Sequence, residues 1–134
     1  HMQGEPATMQ EAPSYNFAPI DIYMYLQEQI ELLVSSGLPR SNIAVDVGFG
    51  FGKSVKDNLA LIDWMPLFHG LGVPILIGVS RKSTIARLDN NAPVDERLGG
   101  SIALTLKSAD AGVQMVRTHD VRQTAQAIKL WQAG

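Results

Sequence analysis

The chain has 134 residues and a mass of 14.6 kDa, is 46% apolar and 18% charged, and carries a formal net charge of −2 with a pI near 5.9. That length excludes a complete (β/α)₈ barrel, which takes about 250 residues, and the absence of any Lys or Arg run argues against nucleic acid or an anionic membrane as partner. With no cysteine, no apolar stretch near the roughly 18 residues of a membrane span, and no basic-then-apolar start, the composition points to an α/β domain of cytoplasmic type.

Residues 1–19 are rich in Pro, Gln and Met without a clear period and read as a loop. From Ile20 to Ser36, the apolar residues Ile22, Tyr25, Leu26, Ile30, Leu33 and Val34 recur at three and four residues, predicting an amphipathic helix closed by Gly37. The β-branched run Ile43-Ala44-Val45-Asp46-Val47 predicts a strand, and Gly48-Phe49-Gly50-Phe51-Gly52-Lys53 follows it directly. Asp57 to Leu71 is helical by period, with Pro66 marking a kink or an early stop. Val73 to Val79 is apolar throughout, as a parallel strand covered on both faces should be. Ser80-Arg81-Lys82-Ser83 and an irregular stretch through Asn90, Asn91 and Pro93 come next. Asp95 to Ala109 predicts a helix with Leu98, Ile102, Leu104, Thr105 and Leu106 on its buried side. Val113 to Arg117 predicts a third strand, followed by Thr118-His119-Asp120 and a last helix from Val121 to Gln132. Alternation of this kind implies parallel strands joined by crossover helices.

Each predicted strand ends in polar residues that the strand itself does not need, and ligands of parallel α/β folds bind at the carboxyl ends of strands. An acid, a Lys/Arg pair and an Arg/His pair on successive tips describe a site for a polar, partly anionic ligand. Asp46 either pairs with a base on a neighbouring strand or receives ligand N–H groups, since acids are rarely buried alone. The alternating glycines fit a tight turn or a close approach to a ligand. With two aromatics in the turn, one should pack inward and the other face a ligand. Arg81 and Lys82 could equally cap carbonyls or sit in solvent, and Ser83-Thr84 would make an ordinary N-cap. Strand alternation would send Arg117 and His119 to one side and Thr118 to the other, and a guanidinium beside an imidazole suits a pyrophosphate. Asp120 is expected to N-cap the last helix. His69 beside Gly70 carries no expected function, and the few histidines argue against zinc.

The segments Asp46 to Lys53, Gly78 to Ser83 and Arg117 to Asp120, in this order and spacing, resemble the last three strand ends of the dihydropteroate synthase family. His1 to Gln10 is similar to the family's Met-His-Met-Gln-Gly segment at the end of the fifth strand. Val47 departs from the pattern, where proline is usual. The resemblance implies a single partial domain over 1–134, running from the end of the fifth strand through the last helix: parallel (β/α) units forming the C-terminal half of a TIM barrel of the pterin-binding type. It further implies condensation of dihydropterin pyrophosphate with p-aminobenzoate in folate biosynthesis, with Mg²⁺ help and with sulfonamides competing for the p-aminobenzoate place. Carried over by matching position, Asp46 would bond the pterin's amino-pyrimidine edge, Gly78 would let the ring approach, and Lys82 would reach it. Arg117 and His119 would hold the pyrophosphate, Ser83 would meet the benzoate carboxylate, and Phe51 would pack near the benzoate ring. Lys82, Arg117 and His119 are the residues expected to act in the reaction. No metal ligand is assigned in this chain, because the Mg²⁺ ligands are expected mainly in the N-terminal half and in the pyrophosphate. A homodimer through the C-terminal helices is implied, and the 134-residue chain by itself is expected to show no turnover. The competing readings are a methyltetrahydrofolate-binding barrel of the corrinoid methyltransferase kind, or a non-enzymatic α/β module that binds a phosphate ligand or a partner.

Overall fold

Ile22, Leu26 and Ile30 recur every fourth residue and are buried along helix α1 (Ala18–Ser35). The helix starts with Pro19 in its first turn, where a missing N–H costs nothing. It ends in a Schellman motif: Gly37 stands at φ +97°, its N–H bonds the Val34 carbonyl at 3.0 Å, and the Leu38 N–H bonds Leu33 at 3.1 Å. A computed structural model describes residues 1–4 and 14–134. Part of the segment similar to Met-His-Met-Gln-Gly, Glu5 to Gln10, therefore lies outside the described residues.

Among the described residues, β1 (Val45–Asp46), β2 (Ile75–Ile77) and β3 (Met115–Val116) form one parallel sheet in the order β1-β2-β3. Val45 and Asp46 pair with Ile75 and Leu76, while Leu76 and Ile77 pair with Met115 and Val116. The ladders are shorter than the predicted strands because Val47, Val73 and Val79 are buried just outside them. Apolar composition follows burial and does not mark where hydrogen bonding stops. The crossovers carry α2 (Val55–Asp63), α3 (Ser83–Leu88) and α4 (Leu98–Asp110), and α5 (Val121–Ala133) follows β3. Ile75, Ile77, Leu61, Met65 and Phe68 lie at the centre of the core, against the buried face of α1.

Three expectations about the extent of the helices need correction. The helix expected to run from Asp57 to Leu71 stops at Asp63, and Pro66 lies in a 3₁₀ segment, Met65–Leu71, whose buried residues Met65, Phe68 and Leu71 stand three apart. The stretch after Ser83 contains the six-residue helix α3, too short for its period to be read. The helix expected from Asp95 is a 3₁₀ turn, Val94–Glu96, followed by α4, whose buried stripe is Ser101, Thr105 and Ser108. Leu98, Ile102, Leu104 and Leu106 are only half-buried. The serines satisfy themselves by back-bonding, Ser101 Oγ to Arg97 O at 2.7 Å and Ser108 Oγ to Leu104 O at 2.8 Å. Small hydroxyls so satisfied line the inner face of α4, which packs against α5 and α2. Because the strands are parallel, their carboxyl ends share one edge, and the polar residues gather there.

Candidate functional site

At the β1 tip, Asp46 is half-buried, and its carboxylate accepts the Gly48 N–H at 2.7 Å. Gly48 has φ +73°, and a Cβ there would lie 1.7 Å from the carbonyl oxygen of His1, whose backbone nitrogen donates to Asp46 O at 2.7 Å. Only glycine can let these two segments meet. Phe49 is buried in the core, whereas Phe51 is half-buried and stays at the edge. Beneath the turn lies Lys53, 1% exposed, with Nζ donating to Gly48 O (2.8 Å) and Phe51 O (2.9 Å) and standing 3.2 Å from His1 Nδ1. Burial pushes the Lys53 ammonium down to about 8, opposed by the Asp46 and Asp57 carboxylates. Asn58, equally buried on α2, accepts the Gly50 N–H at 2.8 Å and donates to Thr84 Oγ1 at 3.1 Å. One side chain thus ties the glycine turn to the start of α3. Thr84 is engaged there, and α3 has no side-chain N-cap bond, contrary to the expected Ser83-Thr84 cap.

Lys82 reaches out from the β2 tip. Its Nζ lies 3.6 Å from the centroid of the Phe51 ring, and a Cβ on Gly50 would come within 2.9 Å of its Cδ. Burial and the neighbouring Arg117 lower its pKa, and Asp46 opposes them. Gly78 is buried in the same strand end, and the guanidinium of Arg117 lies over it: an added Cβ would be 3.2 Å from Nε and 3.3 Å from Nη2. Gly78 therefore makes room for Arg117.

At the β3 tip, the Arg117 N–H donates to Ile77 O at 2.9 Å. His119 Nδ1 stands 2.9 Å from Ser80 Oγ, which also accepts the His119 N–H at 3.2 Å. The Asp120 carboxylate makes no cap bond on α5, contrary to expectation; Arg81 holds it in a two-pronged ion pair and lowers its pKa. Thr118 Oγ1 accepts the Asp120 N–H at 3.2 Å. The last ladder residue is Val116, so strand alternation does not extend to Thr118.

The β2 and β3 tips, with Val94, surround a cavity of 490 Å³ lined by Gly78, Ser80, Arg81, Lys82, Val94, Arg117, Thr118 and His119. Of the predicted site residues, it brings together Gly78, Lys82, Arg117 and His119. Phe51 joins through Lys82, and Asp46 acts on Lys82 through its charge. Ser83 is exposed beside Lys82 and is not part of the lining. Lys53 and Asn58 escaped the sequence reading, which placed Ser80 and Arg81 at the second strand end but not their pairing with His119 and Asp120. A polar Asn58 three residues before Leu61 on a buried helix face was the available signal; a loop lysine gives none. His69 sits at the surface, its Nε2 2.7 Å from Ala111 O.

A cationic hollow at the carboxyl ends of parallel β/α units is the ligand position of barrel-type α/β proteins, and that is the class the fold and site define. The chain belongs to the pterin binding enzyme family, whose model matches residues 1–119. It is 41% identical over 133 residues to the dihydropteroate synthase of Escherichia coli, covering 99% of this chain and 47% of that protein. The Neisseria meningitidis serogroup B dihydropteroate synthase is 44% identical over 136 residues, covering 99% and 48%. Among solved structures, the Yersinia pestis dihydropteroate synthase with a sulfonamide drug complex superposes with a TM-score of 0.95 at 38% identity, covering 99% of this chain and 48% of that one. The Thermus thermophilus enzyme in complex with 4-aminobenzoate gives 0.92 at 36% identity, covering 99% and 54%. The chain spans about half the length of the curated relatives it matches, and its parallel α/β units make up part of a TIM-type barrel.

Proposed function

We propose that this chain is the C-terminal half, residues 1–134, of a dihydropteroate synthase, which joins p-aminobenzoate to dihydropterin pyrophosphate. The observation that carries this reading is the convergence of Lys82, Arg117 and His119 on one cavity, in a member of the pterin binding enzyme family. In the reaction, the arylamine nitrogen attacks the pterin methylene and the C–O bond to pyrophosphate breaks, its electron pair leaving with the pyrophosphate. The proton lost by the amine goes to solvent. Arg117 and His119 are the groups that meet the developing negative charge, and such preorganised donors are worth most in a partly dehydrated site. Asp46 reads the pterin's donor edge, Gly78 and Lys82 flank the ring, Phe51 packs at the benzoate ring, and Ser83 takes the benzoate carboxylate. Sulfonamides occupy the benzoate place.

The family resemblance implies Mg²⁺, and the lining residues do not form a site for it. Among the described residues, no carboxylate lines the cavity, and the nearby Asp120 carboxylate is taken by Arg81. The ion would be held instead by the substrate pyrophosphate and by residues of the N-terminal half. No helix among the described residues is long and apolar enough to cross a membrane. Val121 (66%) and Leu130 (71%) are exposed on α5, which supports a homodimer through the C-terminal helices.

The test supplies the chain with the N-terminal half of the Escherichia coli relative and measures dihydropteroate and pyrophosphate release. Turnover is expected only in the mixture, and Arg117→Ala should lower kcat by about 10²–10³-fold. Turnover by the chain alone, or no product and no dihydropterin pyrophosphate binding in the mixture, overturns the reading. Pterin binding that pyrophosphate does not strengthen would point instead to a methylfolate barrel.

A further inference from the structure

The turn that delivers Lys82 to the cavity is strained. It runs from Val79 to Lys82, closed by the Lys82 N–H on Val79 O at 3.3 Å, and its third residue, Arg81, has φ +58°. A third position with positive φ is a glycine position, and an arginine there persists only if its surroundings over-determine it.

They do. The Arg81 N–H donates to Ser101 Oγ on α4 at 2.9 Å, and its carbonyl accepts from Arg97 Nη1 at 2.9 Å. Its guanidinium grips Asp120 with Nη2–Oδ1 at 2.6 Å and Nε–Oδ2 at 3.1 Å. Ser101 Oγ in turn donates to Arg97 O at 2.7 Å, and Arg97 Nε donates to Ala92 O at 2.9 Å. One residue earlier, Ser80 bonds both the backbone and the ring of His119. Two consecutive bridges, Ser80–His119 and Arg81–Asp120, therefore sew the β2 tip to the β3 tip. In exchange, α5 forgoes a side-chain cap from Asp120.

We propose that Arg81 is a positioning residue: paired with Asp120 and locked by Arg97 and Ser101, it fixes Lys82 and His119 relative to one another across the two strand tips. Asp120 neutralises its guanidinium, so Arg81 acts through its neighbours and not by lending charge to an anion. The proposal rests on the reading of the cavity as the pyrophosphate site.

The test uses the full chain completed by the N-terminal half, with inorganic pyrophosphate as the probe in calorimetry. Arg81→Gly accepts the positive φ and loses the tether; it should melt at or above the parent temperature yet bind pyrophosphate about tenfold more weakly. Asp120→Asn separates the alternatives by sign. It breaks the fork and makes the cavity more positive, so positioning predicts weaker binding and a simple charge role predicts tighter binding. Parent affinity in Arg81→Gly, or a gain in Asp120→Asn, overturns the proposal. The ¹⁵N resonances of the His119 ring, recorded without ligand, decide the matter even if the parent binds no pyrophosphate. A tautomer pattern altered in both variants supports the tether, and one unchanged in both refutes it. Loss of pyrophosphate binding by the parent itself would count against the function and not against the tether.

Discussion

Lys53 is the clearest case of a residue whose role depends on what folds over it. A charge with 1% exposure survives because the carbonyls of Gly48 and Phe51 receive its protons. Its pKa falls from 10.5 to about 8, so between about pH 8 and 10 the unfolded chain binds more protons than the folded one, and stability rises with pH in that window. Above it, Tyr15, which donates to Gly52 O and is raised to about 12, reverses the trend as the unfolded tyrosine ionises first. Urea unfolding across pH 7 to 11 (~ the span of these shifts) should show the rise in the parent chain and lose most of it in Lys53→Met. That variant should also be about 1–3 kcal/mol less stable near neutrality, because two buried carbonyls lose their donor. Gly50→Ala tests a different coupling. Its Cβ would meet the flexible stem of Lys82 at 2.9 Å, at φ +79°. Lys82 must move, and weaker binding at the cavity should accompany a stability loss, measured together by calorimetry and thermal melting. Lys82, Arg117 and His119 were legible as polar residues at strand tips. Arg81 was legible at the same place, but its pairing with Asp120 and the burial of Lys53 were not, because nothing local distinguishes a buried or paired cation from a solvated one.

At the scale of elements, α2 begins with a full capping box. Ser54 Oγ accepts the Asp57 N–H at 3.1 Å, and Asp57 Oδ2 accepts the Ser54 N–H at 3.0 Å. Ser54→Ala should cost about 1 kcal/mol, read as a fall of a few degrees in Tm. Asn58 lies in the next turn of the same helix, so part of the loss should spread to the glycine turn. The short α3 and the hydroxyl stripe of α4 were illegible for a shared reason. Periodicity detects apolar faces, and neither a six-residue helix nor a face of Ser101, Thr105 and Ser108 offers one. Ser108 has no exposed surface. Ser108→Leu should therefore overpack the buried face of α4 by about 1–3 kcal/mol, measurable as a lower denaturant midpoint.

For the whole molecule, the governing fact is that a parallel sheet is stable only when both faces and both edges are covered. Here β1 and β3 are the outer strands of the described sheet, β3 is only half-buried, and α5 buries little more than Thr124. Completion by the other half of a barrel would stabilise this chain by mass action, so Tm should climb with the concentration of added N-terminal half. A Tm indifferent to that addition would show that the sheet needs no such partner. Exposed Leu130 gives the test of the proposed homodimer: light scattering should find the completed parent dimeric and Leu130→Asp monomeric, and a monomeric parent overturns that proposal.

The amino-acid order alone determined the alternation of strands and helices, the parallel topology that follows from it, and the gathering of Asp46, Lys82, Arg117 and His119 at one edge. Those outcomes rest on local period and on the direction of the chain, which a linear string carries. Tertiary structure decided which cations are free to meet a ligand and which are already spent: Lys53 inside the turn, Arg81 on Asp120. The reason is that a charge's role depends on its distance to partners and on the water it loses, and both are set by residues remote in sequence.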